Sequence, residues 1–221
     1  MRAYLGHRPD GFFVEVGAND PTLLSQTWHL EQAGWRGLLV EPLPDCAARL
    51  REQRPASRVF EVACSAPDKV GQADFHVAGM FSSLKKFVDD LDVGYARTVT
   101  VRVMTLDQVL AEAGSPRVDF VAMDTEGTEL DVLRGFTLEK HRPALLLIED
   151  KVHTLDKHFH LRRHGYRLAR RTGFNNWYVP AEAPRPAISA GERWNLVRKM
   201  YLGTPSRALR LWWKRWRSAP A

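Results

Sequence analysis

The chain has 221 residues, 44% of them hydrophobic, and a formal charge of +6, so its length suits one substantial hydrophobic core better than two. It has no apolar run of the roughly 18 residues that span a membrane, and Cys46 and Cys64 form no recognisable disulfide framework or metal spacing. We expect no signal peptide, because residues 1–6 lack its apolar stretch. We therefore expect a protein of the reducing cytoplasm.

Short apolar strands alternate with helical segments through the first two thirds of the chain. Buried strands are predicted at residues 12–16, 37–41, 58–63, 120–124 and 144–149. Helices are predicted between them at residues 23–33, 45–52, 105–112 and 129–134. This alternation predicts an α/β fold with a mostly parallel sheet and right-handed crossovers.

The pattern changes after the fifth strand. Residues 166–171 and 176–179, with a turn between them, predict an antiparallel hairpin that ends the sheet. Residues 98–104 are predicted as one further edge strand, and residues 71–87 as an excursion from the core.

The C-terminal residues form a basic tail that is rich in tryptophan. Residues 186–221 hold eight Lys or Arg and one acid, a net charge of +7, so residues 1–185 carry −1 of the total of +6. Four of the seven tryptophans also lie there. A proline-containing stretch at 181–186 predicts a boundary between a domain at residues 1–183 and a helical tail at residues 184–221.

The tail is predicted to contain an amphipathic helix that starts at Thr204 and Pro205. Its apolar face holds Leu209, Trp212, Trp213 and Trp216, and its basic face holds Arg207, Arg210, Lys214 and Arg217. This composition is typical of a helix on an anionic membrane surface, which would place the protein at the cytoplasmic face of a membrane. The alternative is that the apolar face packs on the domain or in a dimer.

The ends of the first two strands have the pattern of a nucleoside-cofactor site. Gly17 would form a tight turn, and Glu41, placed 24 residues later (41 − 17), would accept hydrogen bonds from two ribose hydroxyls. A nicotinamide dinucleotide would require glycines in place of Asn19 and Thr22. The start Glu15-Val-Gly17 favours S-adenosylmethionine, which has no phosphate. The alternative is that both glutamates are ordinary strand-end residues.

Several further motifs follow in a fixed order over roughly residues 12–180. They are Val14-Glu-Val-Gly-Ala-Asn19, Gly34-Trp35, Val40-Glu-Pro-Leu-Pro44, Val62-Ala-Cys-Ser65, Phe81-Ser-Ser-Leu84, Met104-Thr-Leu-Asp107, Met123-Asp-Thr-Glu-Gly-Thr-Glu-Leu130 with Leu133-Arg-Gly135, and Arg142-Pro143 through Leu147-Ile-Glu149. With this set the chain resembles the FkbM-type S-adenosylmethionine-dependent methyltransferase family. It departs from the family at Asp20-Pro21, where a second glycine is common after Gly-Ala-Asn, so the loop is stiffer here.

The resemblance implies the class I methyltransferase (Rossmann-like) fold and O-methylation of a hydroxyl. The expected acceptor is a sugar in a surface glycan or a lipid-linked saccharide, and the alternative is a polyketide or another secondary metabolite. A nicotinamide oxidoreductase and a nucleic-acid-binding module are lower-ranked alternatives. A nucleic acid is also disfavoured because the tetrapeptides of amino-directed nucleic-acid methyltransferases, Asn-Pro-Pro-Tyr and Asp-Pro-Pro-Tyr, are absent.

The strand-end pattern and the resemblance together predict the cofactor-binding residues. They are Glu15, Gly17, Ala18, Asn19, Asp20, Ser25, Glu41, Pro42, Ala63, Ser65 and Asp124. The resemblance also places Asp124 and Glu126 at the reaction centre. The alternative is that Glu126 and Glu129 only stabilise the start of the helix that follows, where negative charge is favoured.

Glu149 and His153 follow the fifth strand and are predicted to complete the catalytic set. Methylation of a hydroxyl requires a base, and His153 is a candidate because imidazole titrates near neutral pH. Glu149 and Asp124 are its competitors. A divalent metal such as Mg²⁺ is compatible with these oxygen ligands, but nothing in the sequence establishes one.

Substrate contacts are predicted in two places. Ser82 and Ser83 resemble the family's serine-containing loop over the site, and Asn175 and Asn176 would present amides to a sugar. The alternatives are an ordinary polar turn for the serines, and a turn followed by an edge strand for the asparagines.

Overall fold

The structure, a computed structural model, describes residues 2–5, 10–85, 95–184 and 186–217, with side chains to residue 213 in the last helix. The strands are β1 (Phe12–Val16), β2 (Arg36–Val40), β3 (Ser57–Phe60), β4 (Ala63–Cys64), β5 (Gly71–Val77), β6 (Arg97–Met104), β7 (Phe120–Met123), β8 (Leu145–Glu149), β9 (Tyr166–Thr172) and β10 (Asn175–Pro180). The helices are α1 (Arg2–Leu5), α2 (Trp28–Glu31), α3 (Pro44–Gln53), α4 (Leu106–Glu112), α5 (Glu129–Arg134), α6 (Leu138–His141), α7 (Asp156–Arg163), α8 (Ala190–Val197) and α9 (Thr204–Arg217).

The large sheet has seven strands in the order β3-β2-β1-β7-β8-β10-β9. The pairs among β1, β2, β3, β7 and β8 are parallel, and β10 is antiparallel to both of its neighbours. Successive residues of β1 face opposite sides, so Phe13 and Val14 enter separate apolar clusters on the two faces of the sheet. The predicted α/β fold with a terminal antiparallel hairpin is confirmed.

The strand order reverses direction between β1 and β7. The chain moves outward from β1 through β2 and β3 and then returns to the other side of β1. At the carboxyl ends, the Gly17 N–H donates to the Val40 carbonyl at 3.0 Å, and the Asp124 N–H donates to the Val16 carbonyl at 3.0 Å. Ligands of open α/β sheets bind beside such a reversal, so this edge is where a site is expected.

A second, three-stranded sheet has the order β4-β6-β5. The single strand predicted at residues 58–63 is therefore wrong, because the chain leaves β2 after Phe60 and pairs Ala63 with Val103 instead. The prediction of an edge strand at residues 98–104 is also wrong, since β6 is the central strand of this small sheet. Phe75, Val101 and Val103 form a separate apolar cluster with Ala63, which explains why the second sheet is independent.

The helix predicted at residues 23–33 is shortened to α2. Leu24 has a φ of 62°, which a right-handed helix does not allow. The carboxylate of Asp20 accepts the N–H groups of Thr22 and Leu23, and Glu15 accepts that of Gln26, so these donors are withdrawn from helical hydrogen bonds. Hydrogen bonds from the backbone to side chains compete with helix formation here, so the apolar periodicity of this segment does not produce a helix before Trp28.

The tail packs on the domain at several points. Arg170 of β9 pairs with Glu192 of α8 at 2.5 Å, and the Tyr201 hydroxyl lies 3.2 Å from His158 Nε2. Met200 is completely buried, and Arg207 Nε donates to the Val152 carbonyl at 3.0 Å. The boundary at residues 183 and 184 stays a prediction. Among the described residues, no helix has the length and apolar character needed to cross a bilayer.

Candidate active site

A cleft opens at the carboxyl ends of β1, β2 and β7, where the strand order reverses. Its empty space, including the open mouth, is about 790 Å³. It is lined by Val16, Gly17, Asn19, Leu24, Val40, Glu41, Pro42, Leu43, Val62, Ala63, Cys64, Phe75, Gly79, Met80, Ser82, Leu84, Asp124, Thr125, Glu126 and Thr128. The large sheet supplies one side of this cleft, and the small sheet supplies an apolar wall through Ala63, Cys64 and Phe75.

Gly17 joins the two halves of the cleft floor. Its φ is +83°, and a Cβ atom at this position would lie only 1.8 Å from the carbonyl oxygen of Asp124. No side chain fits such a gap, so glycine lets the loop after β1 touch the loop after β7.

Glu41 is a buried carboxylate in the cleft wall, with 4% of its surface exposed. Its Oε2 accepts the Asn19 N–H at 2.9 Å, and its Oε1 accepts the Leu43 N–H at 2.9 Å. Burial raises the pKa of Glu41, and these two donors oppose that increase. Because each carboxylate oxygen can accept two hydrogen bonds, the side chain retains capacity for a ligand with two hydroxyls.

Glu15 is turned away from the cleft, in contrast to its predicted contact with the cofactor. Its carboxylate accepts the Ser25 hydroxyl at 2.9 Å, the Gln26 N–H at 2.7 Å and the Thr27 hydroxyl. Burial raises the pKa of Glu15 although these donors oppose it. Glu15 and Ser25 therefore shape the loop beneath the cleft and are not among the residues that line it.

The sequence analysis missed Arg54, which holds the same loop. Arg54 is fully buried, and its Nε donates to Glu31 at 2.6 Å while one of its terminal nitrogens donates to the Pro21 carbonyl at 3.0 Å. A single arginine between α3 and β3 has no pattern that distinguishes it from a surface residue, so no sequence signal identified it.

The remaining predicted cofactor residues divide into two groups. Asn19, Pro42, Ala63 and Asp124 line the cleft, whereas Ala18, Asp20 and Ser65 do not. Ala18 is packed in the core, and Asp20 accepts two N–H groups of its own loop, which lowers its pKa. The Ser65 N–H donates to the Met104 carbonyl, because this residue continues the pairing of β4 with β6.

Three carboxylates meet at the β7 side of the cleft. Oxygens of Asp124, Glu126 and Glu149 all lie within 4.8 Å of one another, and Asp124 is hydrogen-bonded to Glu149. Asp124 and Glu126 line the cleft, and Glu126 pairs with Lys151 at 3.1 Å. Such oxygens match the ligand chemistry of Mg²⁺.

This crowding changes the acidity of two of the acids. Burial, followed by the charges of Glu126 and Glu129, raises the pKa of Asp124 to about 7. Burial and the Asp124 charge raise the pKa of Glu149 to about 9. Near neutral pH the pair of Asp124 and Glu149 therefore retains a proton that it can exchange.

Glu129 has a structural role near the start of α5, in agreement with the alternative given for it in the sequence. Its carboxylate accepts the N–H groups of Thr125 at 3.1 Å and Gly127 at 2.9 Å, and it pairs with Lys157 at 3.1 Å. Although burial opposes ionisation, Lys157 and these donors hold the pKa of Glu129 below its ordinary value. This residue fixes the loop that carries Asp124 and Glu126.

His153 lies outside the set of residues that line the cleft. Its Nδ1 is buried, and among the described residues it has no hydrogen-bond partner. The geometry thus favours Asp124, which faces the cleft, over His153 as a base.

Of the four predicted substrate residues, one lines the cleft and three do not. Ser82 lines the cleft, whereas the buried Ser83 donates to the Glu126 carbonyl at 3.1 Å and ties this loop to the site. Asn176 is fully buried, where it accepts from Arg171 at 2.6 Å and donates to Asp150 at 3.1 Å. Asn175 begins β10 and is not among the lining residues. The amides of the hairpin therefore do not face the cleft.

Known proteins share both the sequence pattern and the fold. The chain is 29% identical over 144 residues to the 2-O-methyltransferase NoeI of Sinorhizobium fredii (strain NBRC 101917 / NGR234), a match of 58% of this chain and 58% of NoeI. It also matches the crystal structure of methyltransferase FkbM from Methylobacillus flagellatus KT with a TM-score of 0.51 and 18% identity, over 77% of this chain and 44% of that chain.

The model of the methyltransferase FkbM domain matches residues 15–168. This range begins in β1 and ends in β9, so it contains every residue that lines the cleft. The chain therefore belongs to the FkbM methyltransferase family.

Proposed function

We propose that the chain is an S-adenosylmethionine-dependent O-methyltransferase. The observation that carries the proposal is one cleft that holds Glu41 on the β2 side and the acids Asp124 and Glu126 on the β7 side. The first side has the chemistry to hold a ribose, and the second has the chemistry to take a proton from a hydroxyl. Family membership and the named activity of NoeI support this reading.

The cleft residues fit the cofactor in two respects. The Glu41 carboxylate has unused acceptor positions for two hydroxyls. Val62, Phe75 and Met80 give an apolar wall against which a flat base would pack. When bound, S-adenosylmethionine supplies a methyl group that its positive sulfonium makes electrophilic.

The acids then provide the proton chemistry. A hydroxyl is a weak nucleophile until its proton is removed, and Asp124 has a pKa of about 7 that suits this task near neutral pH. Glu149, the less acidic member of the pair, is hydrogen-bonded to Asp124, and Lys151 balances the charge of Glu126. Asp124 would therefore accept the hydroxyl proton, with Glu149 as its positioning partner.

The acceptor that we favour is a sugar hydroxyl of a glycan or a lipid-linked saccharide. The cleft rim presents the Ser82 hydroxyl and the Glu126 carboxylate, which are groups that bind hydroxyls. A polyketide hydroxyl is the second candidate. The test is calorimetry with S-adenosylmethionine, followed by mass spectrometry of saccharide and polyketide acceptors for the gain of one methyl group. Failure of the cofactor to bind would overturn the proposal.

Glu41→Ala is expected to weaken S-adenosylhomocysteine binding by about 1.5–3 kcal/mol, the range for a lost hydrogen bond to a charged group. Glu41→Gln should lose less, because an amide keeps one acceptor oxygen. Calorimetric dissociation constants measure both effects.

Glu52→Ala is the matched control, since Glu52 is an exposed glutamate on α3. Its dissociation constant should equal that of the wild type. If Glu41→Ala also leaves the constant unchanged, Glu41 has no role in binding the ribose.

Glu126→Gln is expected to move the rise of kcat with pH to lower pH. The negative charge of Glu126 helps to raise the pKa of Asp124 to about 7, so its removal lowers that pKa. A base with a lower pKa is deprotonated at lower pH, and the acid limb of the profile follows it. The measurement is kcat against pH with Glu52→Gln as control, and an unmoved acid limb would assign that limb to another group.

A further inference from the structure

The tail exposes a group of large apolar side chains. In α9, Leu209 and Trp212 are each 58% exposed and Trp213 is 46% exposed. Trp194 and Leu202 add further exposed apolar surface upstream, at 59% and 60%. Single exposed apolar residues are ordinary, but three large ones within two turns of one helix mark an interaction surface.

The apolar group is not the surface by which the tail packs on the domain. At 100° per residue, Leu209, Trp212 and Trp213 fall within an arc of about 100° on α9. Thr204 is buried and Arg207, Ala208 and Leu211 are partly buried, all on a different side of the helix. The apolar stripe therefore points away from the side of α9 that packs on the domain.

The tail is also positively charged. Glu192, the single acid of the tail, is bound by Arg170 at 2.5 Å and closes a capping box with Ser189. Arg193, Arg198, Lys199 and Arg210 are exposed, and Lys214, Arg215 and Arg217 follow in the sequence. With its only acid bound by the domain, the tail carries an excess of cations.

We propose that α9 and the turn before it bind an anionic bilayer surface, with Leu209, Trp212 and Trp213 inserted among the headgroups. Tryptophan is favoured at such an interface, and basic residues are attracted to anionic lipids. A second copy of this chain would bring two tails of like charge together, so charge complementarity selects the lipid over a dimer.

The attachment of the tail means that the whole domain would be carried to the membrane. Met200 is buried against Asn176, and Arg207 donates to the carbonyl of Val152 in the loop that follows β8. The tail is therefore fixed to the loop next to Glu149 and is not a separate tether.

The experiment is co-sedimentation of the full chain with phosphatidylcholine vesicles that contain phosphatidylglycerol, and with pure phosphatidylcholine vesicles. We expect binding to the anionic vesicles, a blue shift of tryptophan emission, and weaker binding as salt is added. The double variant Trp212→Ser, Trp213→Ser should lower the partition coefficient at least about tenfold, and Arg210→Glu about tenfold.

Phe174→Ser is the matched control, because Phe174 is an aromatic residue of the domain that is 63% exposed. It should leave vesicle binding unchanged, and all variants should bind S-adenosylhomocysteine as the wild type does, which reports on folding separately. Three results would overturn the proposal: no sedimentation with anionic vesicles, a dimer in sedimentation equilibrium that the double variant splits, or binding to an oligonucleotide without binding to vesicles.

Discussion

Asp124→Asn is expected to reduce kcat by roughly 10²- to 10⁴-fold, the contribution of a positioned general base. The amide has nearly the same shape as the carboxylate but cannot accept the proton of a hydroxyl. Because Glu41 lies on the other side of the cleft, S-adenosylhomocysteine affinity should change far less than kcat. Single-turnover methyl transfer and calorimetry measure the two quantities separately.

Two further variants decide whether this loss identifies the base. Asp74→Asn makes the same chemical change on the exposed surface of β5 and should leave kcat unaltered. His153→Gln tests the competing candidate, and we expect it to retain most of the activity because His153 does not line the cleft. If instead His153→Gln loses the activity and Asp124→Asn keeps it, the base is the histidine.

Asp124→Asn should also change how the stability of the folded protein depends on pH. The folded-state pKa of Asp124 is about 7, above its ordinary value, so the folded protein binds more protons than the unfolded chain. The stability from this group is fully present below the unfolded pKa of about 4 and is lost as pH rises through about 7. Asp124→Asn should therefore lose less free energy of unfolding than the wild type over this range, and urea unfolding at the assay pH measures whether the variant is folded.

Gly17→Ala is expected to destabilise the domain by roughly 3 kcal/mol or more, as the sum of backbone strain and overpacking. A φ of +83° is unfavourable for alanine, and the new methyl would lie 1.8 Å from the Asp124 carbonyl oxygen. The loops after β1 and β7 must separate to make room, which also disrupts the cleft. Urea unfolding measures the first effect, and S-adenosylhomocysteine calorimetry measures the second.

Gly114→Ala separates backbone strain from overpacking as causes of the destabilisation. Gly114 has nearly the same φ, +88°, but a Cβ there would meet nothing within 4 Å. It should therefore cost only the strain, about 1–2 kcal/mol, and leave cofactor affinity intact. Equal destabilisation by the two substitutions would show that contact with Asp124 is not what requires glycine at position 17.

The parallel centre of the large sheet could be predicted from sequence because β1, β2, β7 and β8 are almost entirely buried and consist largely of apolar residues. The small sheet could not be predicted in this way. Residues 58–63 look like one strand, and only the pairing of Ala63 with Val103, forty residues away, divides them. The loss of helix before α2 likewise depends on the Glu15 carboxylate, which accepts the Gln26 N–H from 11 residues away together with the Ser25 and Thr27 hydroxyls.

The candidate site was predicted at the level of strand ends but not of side-chain direction. Residues directly after a parallel strand do gather at one edge, as Gly17, Glu41 and Asp124 show. Whether such a residue faces the cleft or supports a loop depends on local turns, and for this reason Glu15 and Asn176 have structural roles. Polar residues of both kinds look alike in a sequence.

The division of the cleft between two sheets has a consequence for protein engineering. The floor and its acids belong to the large sheet, whereas Ala63, Cys64 and Phe75 belong to the small one. Among the described residues, the connection from β5 to β6 pairs with no strand of the large sheet, and Ser83 ties it to the Glu126 carbonyl. For the proposed methyltransferase, the positions of this connection other than Ser83 are therefore the ones to randomise when acceptor preference is to be redesigned.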